Sequence, residues 1–233
     1  MTTVNILSGG AAQGLVGSLK AQFKEQTGLD ISGEFGAVGA MATKLREGTP
    51  ADILVLTSAL IATLTGEKLV DGTSVKDVGR VETALAVRDA DPLVSAPDAA
   101  SLRAAFLAAD AIFVPDTKAS TAGIHIAKVL SQLGIAAEVA SRLKIYPNGA
   151  TAMHHMAESD ARRPIGCTQA TEIIATKGIR LSGALPNGCD LATVYTAAVT
   201  AKAAHAREAQ VLIDLLTAAD QRPLRERAGF LPV

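Results

Sequence analysis

Four segments of the chain put small residues where a predicted strand gives way to a predicted helix: Ser8-Gly9-Gly10-Ala11, Gly36-Ala37-Val38-Gly39, Ala119-Ser120-Thr121-Ala122-Gly123 and Asn148-Gly149-Ala150-Thr151. The first turn of a helix leaves its N–H groups unpaired, and the helix dipole makes that end favourable for negative charge. Tiny side chains let a ligand come up to the backbone. The chemistry on offer is recognition of a small anion by neutral donors. The candidates are Ser8, Gly9, Gly10 and Gln13 at the first turn, Ala37, Val38 and Gly39 at the second, Ser120 and Thr121 at the third, and Asn148 and Ala150 at the fourth. Ser120-Thr121 also suits a helix N-cap, a role compatible with ligand contact. Replacing Gly9 with Val is expected to block ligand approach at the first turn while sparing the fold.

Acid–base chemistry has few candidates. His125 falls about one turn into a predicted helix, where capping or packing competes with a role as base. His154 and His155 are adjacent, so they point to different faces and at most one serves a given site. Lys118, in the third turn, either pairs a ligand carboxylate or is a solvated loop lysine, and Arg80 and Glu82 are hinge polar groups or ordinary surface. No GxGxxG, GxxxxGK[ST], HExxH or GxSxG string occurs, which removes the dinucleotide, P-loop, zincin and hydrolase-elbow readings. Neither a metal site nor a cofactor is expected. Cys167 and Cys189 are too few for a thiolate zinc site and read as free core residues.

The elements that must position these turns alternate along the chain. Strands are predicted at Val4–Leu7, Leu29–Phe35, Asp52–Leu56, Val81–Val87, Ala111–Val114, Leu143–Tyr146, Pro164–Thr168 and Val194–Thr200. Leu15, Leu19 and Phe23 mark one helical face, closed by Thr27-Gly28. Further helices are predicted over about 39–46, 101–108, 122–133, through Met153 and Met156, 171–177, 206–216 and 220–228. The opening βαβαβ run starts a parallel sheet, and the pattern restarts after Val81. The parse is an α/β chain of two lobes, 1–80 with 195–233 and 81–194, joined by two crossings. A hinge of that kind forms an interlobe cleft that closes on a ligand.

Composition agrees. Only 3% of residues are aromatic while 48% are hydrophobic, so the core is built from Ala, Val, Ile and Leu, the palette of helices layered on a buried sheet. Lys and Arg number 22 against 23 Asp and Glu, and this balance argues against nucleic acid or anionic membrane as partner. No apolar run is long enough for membrane insertion. No basic segment followed by an apolar one opens the chain. It reads as cytoplasmic as written and as periplasmic if it is a processed form.

Phe35-Gly36-Ala37-Val38-Gly39, the string Arg46-Glu47-Gly48-Thr49-Pro50-Ala51-Asp52-Ile53, then Thr121-Ala122-Gly123-Ile124 with 130–134, and Ala228-Gly229-Phe230 carry a resemblance over essentially the whole chain. The chain resembles the periplasmic molybdate-binding proteins of ABC transporters. That resemblance implies a two-lobed periplasmic-binding-protein fold of type II, with mixed, mostly parallel sheets flanked by helices. It also implies a tetrahedral oxyanion held by uncharged hydrogen bonds, and an ABC permease as partner if the chain is exported. Two serines of that family are matched here by Ala11 and by Ala37 or Val38, and its tyrosine by Gln169. A lost buried donor costs about 1–3 kcal/mol, so the departures shift the expected ligand from molybdate towards a polycarboxylate. The chain is also similar to aconitate isomerases, themselves relatives of the molybdate-binding proteins. That likeness implies, if the chain is an enzyme, an allylic proton shift with His125 and His154 or His155 as base. The donors would be Ser8, Gln13, Ser120, Thr121, Thr168 and Gln169.

Overall fold

The computed structural model describes residues 2–233. In chain order the elements are β1 (Thr3–Gly9), α1 (Gln13–Thr27), β2 (Asp30–Gly36), α2 (Val38–Arg46), β3 (Ile53–Thr57), α3 (Ser58–Gly66) and β4 (Lys76–Arg88). Next come α4 (Ala99–Ala108), β5 (Ala111–Pro115), α5 (Thr121–Gln132), α6 (Ala136–Val139), β6 (Leu143–Tyr146) and α7 (Gly149–Ala157). The chain finishes with β7 (Pro164–Gln169), α8 (Ala170–Ile174), β8 (Ile179–Ala184), β9 (Ala192–Val199), α9 (Ala206–Thr217) and α10 (Arg222–Arg227). It divides into two compact units, one of residues up to Val81 with Thr193–Val233, the other of Glu82–Ala192.

In the first unit β1 pairs in parallel with both β2 and β3, and β9 closes the sheet antiparallel to β3. Gly9 lies opposite Gly36 in the register, so the turns after β1 and β2 leave the sheet side by side at its carboxyl edge. The apolar spacing of α1 buries Leu15, Leu19 and Phe23, and α9 buries Leu212, Ile213 and Leu216. Asp52 ties the unit together: its carboxylate accepts from the N–H of Asn5 at 2.8 Å and of His205 at 2.9 Å while 2% exposed. The acidic residue of the Pro-Ala-Asp string is thus a brace.

In the second unit β5 pairs in parallel with β6 and β7, β7 pairs antiparallel with β4, and β8 pairs antiparallel with β4 through a register shift at Leu85/Ala86. Leu102, Phe106, Ile112, Val114, Ile126, Val129 and Ile165 fill its core. Cys167 and Cys189 are free and buried in that core, and burial raises both thiols.

Three elements, α3, α6 and β8, differ from expectation by addition. α3 starts on Thr57, whose hydroxyl accepts from the N–H of Leu60, and buries Ile61 and Leu64. β8 buries Ile179 but leaves Leu181 41% exposed, so its alternation is not a clean hydrophobic one. A fourth differs in length. The helix predicted over 171–177 is the single turn and a half of α8, ended by the hydrogen bond from Thr176 N to Ile173 O and by Gly178 at φ +86°.

Candidate functional site

Three parallel strands of the second unit, β6, β5 and β7, end on one edge and each feeds a helix, the place where open α/β sheets bind ligands. After β5 the loop folds on Asp116, whose carboxylate accepts from the N–H of Lys118 (2.7 Å) and of Ala119 (2.9 Å). Its carbonyl takes the N–H of Ser120. Gly123 lets α5 press on this loop, since a Cβ there would lie 2.1 Å from Asp116 O. Ser120 holds the N-cap position, but its hydroxyl makes no capping bond, contrary to the expected cap. The half-buried Ser120 and Thr121 therefore present unspent hydroxyls, together with the N–H groups of the first turn of α5.

The turn after β6 is different. Asn148 caps α7 by accepting from Thr151 N at 2.8 Å. The N–H groups of Gly149 and Ala150 are spent on the carboxylate of Glu172, from α8. Glu172 also accepts from Thr168 Oγ1 at 2.5 Å and from the N–H of Gln169, and is 6% exposed. Burial raises its proton affinity by more than these hydrogen bonds lower it. The Ala150 N–H, expected as a ligand donor, is thus taken by a carboxyl group the chain supplies itself, and the Asn148 side-chain oxygen is spent on its cap. Gly149 is what allows it: a Cβ there would lie 1.9 Å from Glu172 Oε2 and 2.0 Å from Thr168 Oγ1. Sequence reasoning missed Glu172. The available signal was an acidic residue in the first turn of the helix that follows the predicted strand ending at Thr168.

Beside this carboxylate stands Gln169, at the carboxyl end of β7 and 3% exposed. Both its Nε2 and its Oε1 are buried with no hydrogen-bond partner, as are the hydroxyls of Thr171 and of Thr83, which faces Gln169 across the β4–β7 ladder. Buried amides are almost always partnered, which sets the Gln169 amide apart from the other polar groups of this unit.

In the first unit Ser8 is fully buried, with Oγ 2.9 Å from Gly9 O and 3.3 Å from Val55 O, so its single hydrogen is spent internally. Gly10 begins a 3-10 turn, Gly10–Ala12, that leads into α1, and Gln13 is exposed. No side chain caps that turn, nor α2, whose start is Ala37, Val38 and Gly39. The expected effect of Gly9→Val needs correction. A Cβ at Gly9 would lie 2.8 Å from Val38 Cγ1 and 3.0 Å from Tyr195 Cε1, so the substitution strains the fold itself.

The histidines do not gather with these groups. His125 Nε2 lies 2.8 Å from Cys189 O and ties α5 to the loop before β9. His154 is exposed, 3.5 Å from Glu158, and His155 is exposed and stacked on Tyr146 with centroids 4.5 Å apart. Among the described residues no three His, Cys, Asp or Glu side chains are placed to share a metal ion.

The family model for bacterial extracellular solute-binding proteins matches residues 4–231, and the chain belongs to that family. It is similar to the periplasmic molybdate-binding protein of Azotobacter vinelandii, with TM-score 0.80 and 17% identity over 99% of both chains. It is also similar to the sulfate-binding protein SubI of Mycobacterium tuberculosis, with TM-score 0.76 and 18% identity over 100% of this chain and 88% of that one. An aconitate isomerase of a Pseudomonas species is 25% identical over 243 residues, 100% of this chain and 89% of that protein. The resemblance read from the sequence and the mixed, mostly parallel α/β architecture with flanking helices both hold. No helix among the described residues is long and apolar enough to cross a membrane.

Proposed function

We propose that this solute-binding protein takes a small polycarboxylate of the citrate or aconitate kind rather than a fully deprotonated oxyanion. Its donors in the second unit are Ser120, Thr121, the first N–H groups of α5 and the Gln169 amide, whereas the Thr168 hydroxyl has already given its hydrogen to Glu172. The observation that carries this reading is the Gln169 amide, with a donor and an acceptor both unpartnered. A molybdate or sulfate ion has no hydrogen to give Oε1, whereas a polycarboxylate offers a hydroxyl or a protonated carboxyl as well as charge. Calorimetric titration tests it. Citrate or aconitate is expected to bind the wild type, and Gln169→Ala is expected to weaken that binding by about tenfold, the equivalent of about 1.4 kcal/mol. Equal affinity in the variant removes Gln169 from the site.

A second reading is favoured by the full-length likeness to an aconitate isomerase. In it the base is Glu172 rather than His125, His154 or His155: its carboxylate takes the allylic proton and returns it to the far carbon as the double bond shifts. Proton NMR of cis-aconitate with the protein decides. Conversion to the trans isomer that is lost in Glu172→Gln supports the enzyme. No conversion leaves the receptor.

A further inference from the structure

Helices α2 and α3 end in the same way, each with a Schellman cap. Gly48 N bonds Leu45 O and Thr49 N bonds Lys44 O after α2, while Lys68 N bonds Thr65 O and Leu69 N bonds Leu64 O after α3. The residue that turns left-handed is Gly48 at φ +89° in the first and Lys68 at φ +60° in the second. Every other residue with positive φ among the described residues is glycine, the usual choice at such a cap. Lys68 thus carries a conformational cost that glycine would not. A lysine placed to complement the helix dipole works equally well one turn earlier, without that cost.

Both caps line one cavity of about 300 Å³, which includes Arg46, Thr49, Lys68, Thr200 and Lys202 and no acidic residue. Arg46 is held by Glu67, with Nε and Nη2 each 2.8 Å from a carboxylate oxygen. Lys68 and Lys202 have no ion-pair partner among the described residues. The cap carbonyls of Lys44 and Leu64 are already taken by N–H groups, and Lys68 and Lys202 are the lining's basic residues without a carboxylate partner. The Thr200 hydroxyl donates to Ala51 O and keeps its lone pairs for a donor.

We propose that this cavity is a second anion site, separate from the helix-start donors of the second unit, for a phosphate dianion either free or as a small monoester. Two ammonium groups supply the charge and the Arg46 guanidinium one edge of the pocket. The volume admits a phosphate with a short substituent. A nucleic acid needs an extended basic stripe, which a chain with 22 basic against 23 acidic residues does not provide.

Titration with inorganic phosphate, followed by amide NMR shifts and thermal unfolding, tests the proposal on the intact chain. The shifts are expected at Gly48, Thr49 and Ala201. Lys68→Gly is expected to leave the ligand-free Tm unchanged or raised by up to about 4 °C, because strain is relieved. Together with Lys202→Gln it is expected to weaken phosphate binding by about tenfold. A residue with only a structural role would move stability alone. Methyl phosphate run in parallel identifies the source, since whichever probe binds tighter is the form the site is built for. Shifts confined to the first turn of α5, or unchanged phosphate affinity in the double variant, overturn the proposal.

Discussion

Glu172 is the residue on which the candidate site turns, because it converts a helix start that looked free into one that is closed. Replacing Gly149 with Ala drives a methyl into Oε2 and Thr168 Oγ1, both backed by buried structure. The expected cost is about 1–3 kcal/mol in chemical denaturation, the range for overpacking a filled interior. The carboxyl also gives a pH dependence with a definite sign. Its folded proton affinity is raised by burial, so the stability it contributes is full below the ordinary carboxylate range and falls as pH rises through the raised value. Glu172→Gln is expected to flatten that fall in a series of Tm measurements against pH. An unchanged slope would mean that some other group titrates there. The three histidines were the visible candidates for proton chemistry, yet each is occupied by a carbonyl, a surface carboxylate or a tyrosine ring.

At the scale of elements, the helix starts are tested by removing backbone donors rather than side chains. Thr121 is the first residue of α5 and follows Ser120 at φ −95° and ψ 136°, an extended conformation that a residue before proline favours. Proline is well tolerated at a first helical position and deletes one N–H. Thr121→Pro is therefore expected to preserve the Tm of the free protein while weakening ligand binding about five- to thirtyfold beyond Thr121→Ala, from the 1–2 kcal/mol of one hydrogen bond to charge. Equal affinity in the two variants would take that N–H out of the site. Much of this layer was legible in the sequence: the four-residue spacing of Leu15, Leu19 and Phe23, the Gly28 cap and the short β-branched runs each record one local force. What was not legible depended on register. Residues 149 and 172 meet only because β5 pairs with both β6 and β7, and no local pattern announces that meeting. α3 escaped notice because its core face has only two fully buried residues, Ile61 and Leu64. β8 did so because a register shift and a glycine break its alternation.

For the whole molecule, family membership sets the kind of work, and the departures from the molybdate-binding pattern bear on the ligand. Position 169 carries a buried amide that no other protein group among the described residues partners, and the hydroxyl of Ser8 is spent on backbone carbonyls. A ligand that binds the native state at 100 times its dissociation constant adds about 2.7 kcal/mol of stability, enough to read in a thermal scan without knowing the mechanism. The most direct measurement is a thermal-shift screen of the purified protein against molybdate, tungstate, citrate and cis- and trans-aconitate, repeated with Gln169→Ala. The polycarboxylate reading predicts stabilisation by citrate or an aconitate that is largely lost in the variant. Stabilisation by molybdate or tungstate alone, undiminished in the variant, would contradict it.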